Sequence, residues 1–347
     1  MIGHYDEPTV PWLIERMTGT AMQIDEKIKD NAVFLGIIEK DVFVPKATAF
    51  FVARQNKFGS LVYLVTAEHV VAGLKAKGYE KIYMRPNTEA GLVPIPVDNW
   101  LFHQDAETNP TDVAVVPITY VGDSNERLVT MDVSTFVTKE NFKEREWGTG
   151  DEVVVVGLFR NHYGKAKNIP VVRIGSLAAM PEEPVKTKWS GYIDAYLVEL
   201  HSIGGLSGSP VYIHHPPTRV RDGKIQYLPG HRMNLLGIMQ GHFDVPDLRQ
   251  DSAIEDDDGG GSINTGIGVV VPAYKILEMM DGHPELVAAA EKALRRSEAD
   301  AAKSDLDHLG GTAELEPPTT ADNPTHAEDF RSLVTAAARK KPQGDGT

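Results

Sequence analysis

From Asn31 onward the chain is cut into short apolar runs rich in β-branched residues, each bounded by turn-forming residues. A first series covers 32–38, 47–54, 61–66, 81–85, 100–103 and 113–118. A second starts past Gly148 and covers 152–158, 171–178, 195–199, 211–213, 235–240 and 268–271. Two sets of short strands without long helices between them predict an all-β core of two six-stranded antiparallel barrels. The boundaries expected are 31–135 for barrel one and 148–275 for barrel two, joined through 119–147.

The 347 residues suffice for a large core without covalent staples, and the absence of cysteine excludes disulfides. Forty-nine acidic against 35 basic residues give a formal charge of −14, which disfavours generic binding to nucleic acid or anionic membrane. No apolar run approaches a membrane span, and residues 1–8 lack a basic segment followed by an apolar one. These features read as a soluble cytoplasmic protein.

Three segments carry chemistry. In Gly205-Leu206-Ser207-Gly208-Ser209-Pro210 the flanking glycines allow a sharp turn that exposes a hydroxyl and aims N–H groups at one point. Upstream, Leu64-Val65-Thr66-Ala67-Glu68-His69 is an apolar run ending in a histidine, and Asp112 leads straight into the apolar run Val113–Ile118. Singly, each has an ordinary reading: a Gly/Ser/Pro loop, a core histidine, a turn aspartate. Together they stand in the order His69, Asp112, Ser207, which is the order of the chymotrypsin-type triad and not of α/β-hydrolases or subtilisin.

On these residues the chain resembles the trypsin/chymotrypsin-fold serine peptidases, in particular the cysteine-free, bacterial, HtrA-like members. Its Thr66-Ala67-Glu68-His69 is similar to their Thr-Ala-Ala-His segment, and its Gly205-Leu206-Ser207-Gly208-Ser209-Pro210-Val211 to their Gly-x-Ser-Gly-Gly-Pro-Val. The segments 236–241 and 266–272 resemble the strand lining the substrate cleft and the last barrel strand. The resemblance spans roughly residues 32–282 and implies a serine endopeptidase without cofactor or metal, acting on a polypeptide. It implies Ser207 as nucleophile, His69 as base, Asp112 as orienting acid, and the N–H groups of Gly205 and Ser207 as the oxyanion hole. It implies further that His201 and Ser202 lie at the base of the primary pocket, with Gln240 and Gly241 along the substrate. No carboxylate stands at 201, so cleavage after Arg or Lys is disfavoured.

Two departures matter. Ser209 replaces the family's second glycine. Leu206 replaces the aspartate that, in zymogen members, pairs with a freshly cut N-terminus, so activation by such cleavage is not expected. A protease-fold peptide-binding or regulatory module with conditional catalysis stays open as the alternative. No PDZ-like segment is visible.

Outside the body, residues 1–30 read as an N-terminal arm in which Pro11 opens a short helix with Trp12, Leu13 and Met17. The loops 214–234 and 243–263 are long; His214-His215 and Glu255-Asp256-Asp257-Asp258 lack the spacing of a metal site. After Pro272 the pattern turns helical, with an interruption near Pro284. The tail 283–347 is expected to be helical and disordered, with a polar linker over 297–324. A short amphipathic helix near 325–340, capped by Thr325 and Glu328, offers Phe330, Leu333, Val334 and Ala337 to a protein partner or to the body.

Overall fold

The computed structural model describes residues 24–310, except 57–58, 88–91, 104–109, 119–127, 201–203, 217, 222–223, 228–232 and 247–261. The N-terminal helix expected at Pro11 and the amphipathic helix expected near 325–340 lie outside the described residues. Contact clustering separates residues 1–298 from 299–347.

After a short helix α1 (Glu26–Asp30), the first sheet takes strands β1 (Ala32–Glu39), β2 (Val42–Asn56), β3 (Gly59–Thr66), β4 (Ile82–Arg85), β5 (Ile95–Val97), β6 (Leu101–Phe102), β7 (Ala114–Ile118) and β8 (Met131–Asp132). Its hydrogen-bonded order is β5-β4-β1-β2-β3-β7-β6, with β8 added to β2. β1 and β2 turn through Lys40 and Asp41, both at positive φ, as a two-residue hairpin matched to strand twist requires. Helix α2 (Glu68–Ala76) follows β3 and buries Val70, Val71 and Leu74.

The second sheet closes. Strands β9 (Glu152–Gly157), β10 (Val171–Ala179), β13 (Tyr196–Glu199), β14 (Pro210–His214), β17 (Met233–Pro246) and β18 (Ser262–Pro272) form a barrel in the order β10-β13-β18-β17-β14-β9. Two small hairpins stand apart, β11 (Val185–Thr187) with β12 (Gly191–Ile193) and β15 (Thr218–Arg221) with β16 (Lys224–Tyr227).

The continuous valine run of β9 has a packing reason. Val153 and Val155 face the barrel's own interior with Leu177, Val198, Val211, Leu236, Met239 and Val270. Val154 and Val156 face a second layer shared with Phe50, Leu64 and Val65 of the first sheet. A strand buried on both faces reads as unbroken apolar sequence.

The architecture is thus the expected chymotrypsin-like, mostly β one, with one difference of detail. The first sheet is an open, curled layer, because its described strands end at β5 and β6 without pairing to each other. Short strands near 95–97 and 131–132 and the hairpin at 185–193 were not expected from the sequence; at two or three residues each strand is too short to show a period.

Helix α3 (Lys139–Glu144) lies in the connection between the sheets, closed at its start by a capping box of Thr138 and Asn141. Beyond β18, α4 (Tyr274–Gly282) and α5 (Pro284–Gly310) are separated at His283, and Pro284 opens the second helix as expected. The linker expected over 297–324 is corrected in its first part, since residues 297–310 are helical. Alanines at 299, 301 and 302 favour helix there despite the polar composition.

Candidate active site

His69 sits in the first turn of α2, where β3 hands over to the helix, and Asp112 lies two residues before β7, the neighbour of β3. Their pairing follows from that adjacency. The Asp112 side chain is fully buried and grips His69 twice. Its Oδ1 accepts the His69 backbone N–H at 2.8 Å, and its Oδ2 lies 2.7 Å from Nδ1. An ionised carboxylate only accepts, so this contact suits an imidazole that carries a proton on Nδ1.

Ser207 comes from the turn before β14, in the second barrel. Gly205 has φ +105° and Gly208 φ +80°, conformations that favour glycine. At Gly208 a Cβ would come within 2.1 Å of Thr66 Oγ1 and 2.2 Å of the Thr48 carbonyl oxygen. The nucleophile turn therefore seats directly on the strand end that leads into His69. The Ser207 hydroxyl donates to the Gln240 carbonyl at 3.1 Å, and no hydrogen bond joins it to His69 among the described residues.

Thr48, which the sequence analysis did not single out, anchors this turn. Its N–H donates to the Ser207 carbonyl at 3.0 Å. Its hydroxyl donates to the Gly205 carbonyl at 2.9 Å and accepts the Leu158 N–H at 2.9 Å. Only a strand register placing Thr48 against the turn makes it functional, and a threonine in an apolar run carries no such signal by itself.

The remaining site residues divide. Gln240 and Gly241 lie on β17 beside Ser207, and the Gln240 amide donates to Ser190 Oγ at 3.1 Å. His201 and Ser202 lie outside the described residues. Leu206 is buried in the barrel-two core, where an aspartate would lack water or a partner. Ser209 is fully buried, and its hydroxyl has no hydrogen-bond partner.

Trp189, at the tip of the β11–β12 hairpin, was also missed. Its ring stacks on His69 with centroids 5.3 Å apart and planes within 6°, and it is 57% exposed. Glu68, beside His69, has its carboxyl pushed above the usual range by burial and the Asp112 charge, with His69 acting the other way.

His214 and His215 take separate partners, Glu152 for the first and the edge of Trp147 for the second. Among the described residues no cluster of three or more potential ligands could hold a metal ion, and no helix is long and apolar enough to cross a membrane.

No family model matches the chain, and no curated protein does. Solved structures do. They include the MamO protease domain from Magnetospirillum magneticum in its apo form, at 15% identity and TM-score 0.44 over 73% of this chain and 96% of that one. The HtrA-type protease AlgW with a decapeptide is 17% identical, with TM-score 0.42, over 74% of this chain and 65% of that one. Deg5 is 14% identical, with TM-score 0.42, over 74% and 92%.

Proposed function

We propose that the chain is a serine endopeptidase that hydrolyses peptide bonds through His69, Asp112 and Ser207. The observation that carries this reading is the double grip of buried Asp112 on His69, which supports Nε2 as the base for the glycine-flanked Ser207. In this reading the Ser207 hydroxyl exchanges the Gln240 carbonyl for Nε2 before it reacts. Ser207 Oγ then attacks the scissile carbonyl while its proton passes to His69. Asp112 stabilises the imidazolium without taking the proton. The developing oxyanion is met by the N–H groups of Gly205 and Ser207, each such donor being worth about 2.7–4 kcal/mol. His69 returns the proton to the leaving amine, and water repeats the sequence on the acyl-enzyme.

A polypeptide fits the cleft in extended form. β14 pairs with β17 only as far as Ile238, so from Gly241 onward no described strand covers the edge of β17 nearest Ser207, which leaves room for an added one. His201 and Ser202 belong to this reading as the base of the primary pocket, and cleavage after Arg or Lys is expected to be weak. The missing cysteines fit a reducing, cytoplasmic setting.

The Ser207–Gln240 hydrogen bond favours a second reading, a peptide-binding module whose catalysis is conditional. A fluorophosphonate probe separates the two. Labelling of the unmodified chain and none of Ser207→Ala, with both showing the same near-UV circular dichroism, supports the peptidase. Peptide binding without labelling supports the module.

A further inference from the structure

Beside the candidate active site, the β11–β12 hairpin and strand β17 enclose a cavity of about 340 Å³. Its lining includes the apolar side chains of Trp189, Phe243 and Val269 and the two lysines Lys186 and Lys188, with no acidic residue among the lining positions. Neither lysine is in an ion pair among the described residues, and the Lys188 ammonium lies 4.9 Å over the Trp189 ring. On a chain with a formal charge of −14, two lysines at one cleft without an acidic partner among the described residues stand out.

The tip of the hairpin projects from its core-packed base towards the cavity. Its strands pair only with each other, over three residues each, which is marginal for a sheet on its own. Its base packs into the core through Ile193 and Val185, and its tip reaches the candidate site through the Ser190–Gln240 hydrogen bond and the Trp189–His69 stack. Trp189 and Tyr192 stay 57% and 61% exposed, and an aromatic anchor left uncovered beside a cavity is a common property of recognition sites.

From this arrangement we infer that the cavity is a subsite for an acidic side chain of the polypeptide, flanked by an apolar one. Lys186 and Lys188 set the charge preference, and Trp189 seats the neighbouring residue next to His69. The inference rests on the peptidase reading for its substrate class. The peptide runs along the edge of β17, and the hairpin supplies the opposite wall. The lysines are exposed, so the charge effect is modest and screened by salt.

The test uses internally quenched peptides that differ only by Glu, Gln or Lys at one position, scanned over the three residues before the scissile bond. At low salt the unmodified chain is expected to prefer Glu over Gln by about 3–10-fold in kcat/KM, at one position only. The preference should fade at high salt and turn to Lys in the double variant Lys186→Glu, Lys188→Glu. Trp189→Ala should raise KM for Glu and Gln peptides alike, by about fivefold or more. Cleavage without charge preference, or a preference unchanged in the double variant, overturns the subsite while the peptidase reading stands. If no peptide is cleaved and no fluorophosphonate label is taken up, the peptidase reading fails. Fluorescence anisotropy of the same peptides, labelled, still decides the subsite in that case. Tighter binding of the Glu peptide keeps it, and equal binding of all three overturns it.

Discussion

In the second sheet every strand has two hydrogen-bonded neighbours, whereas the first runs as an open path from β5 to β6 and takes β8 in parallel on β2. The closed barrel spends its backbone donors and acceptors on its own ladder. The Ser207 turn, which belongs to that barrel by sequence, lies outside the ladder and finds several of its partners elsewhere. Gly208 and Ser209 donate within the second sheet region, to Met239 and Leu206. The carbonyls of Gly205 and Ser207 instead take their hydrogen bonds from Thr48 on β2. The open sheet thus supplies His69, Asp112 and part of the footing of the Ser207 turn, while the closed barrel supplies the turn itself and strand β17 beside it.

The sharpest way to break this division is at Asp112, in the open sheet's half of the site. Asp112→Asn is expected to keep the fold and lower kcat by about 10⁴, the loss typical when an asparagine enforces the wrong imidazole tautomer. Stopped-assay kinetics with a quenched peptide, alongside a thermal melt, give both quantities. A loss of less than tenfold would detach Asp112 from the mechanism.

A comparably large effect is expected on the closed side, in stability rather than rate. Leu206 is buried among barrel-two residues. Leu206→Asp places an unpaired carboxyl there, at a cost of about 3–5 kcal/mol. Denaturant melts measure the loss. The same burial removes the acid that a cut N-terminus would need, so an active preparation is expected to show, by intact-mass spectrometry, the mass of the unprocessed chain. Activity confined to a form cut near residues 20–35 would overturn that expectation.

Thr48 tests the seam between the sheets. Thr48→Val keeps the shape and removes the hydroxyl that serves the Gly205 carbonyl and the Leu158 N–H. Leaving buried polar groups unpaired costs about 1–3 kcal/mol each, so both Tm and kcat/KM are expected to fall, and Thr48→Ser to recover most of each. A fall in Tm with kcat/KM unchanged would mean that the contact steadies the fold without shaping the nucleophile turn.

How much of this was legible in sequence depends on the range of the interaction that fixes it. The long strands show, since burial on one or both faces writes itself as apolar runs, and β9 with its valines is the clearest case. The His69–Asp112 pair shows through local motifs, a strand end and a pre-strand aspartate, and the turn at Ser207 through its framing glycines. Thr48 and Trp189 do not show. Thr48 matters only through contacts more than a hundred residues along the chain, at Gly205 and Leu158. Trp189 matters because a three-residue hairpin, too short to carry a period, folds back over His69. The helical extension to Gly310 was misread for the opposite reason, because polar composition masked an alanine-rich propensity that acts locally.

The smallest effect expected concerns Ser209, where the closed barrel is tightest. The side chain is fully buried, and its hydroxyl lacks a partner. It fits only because position 157 on β9 is glycine, where a Cβ would stand 1.9 Å from Ser209 Oγ. A serine is therefore accommodated sterically, but its buried hydroxyl has no hydrogen-bond partner among the described residues. Ser209→Ala removes the uncompensated group and leaves the Cβ that the backbone already tolerates. It is expected to stabilise the chain by about 1 kcal/mol and raise Tm by about 2–4 °C. The turn keeps its Ser209 N–H bond to Leu206, so kcat/KM should stay within about twofold. Differential scanning calorimetry of the two proteins reads the shift. A lower Tm in Ser209→Ala would show that the hydroxyl holds a bound water or a polar partner, and that the closed barrel is not as dry beneath the nucleophile turn as its packing implies.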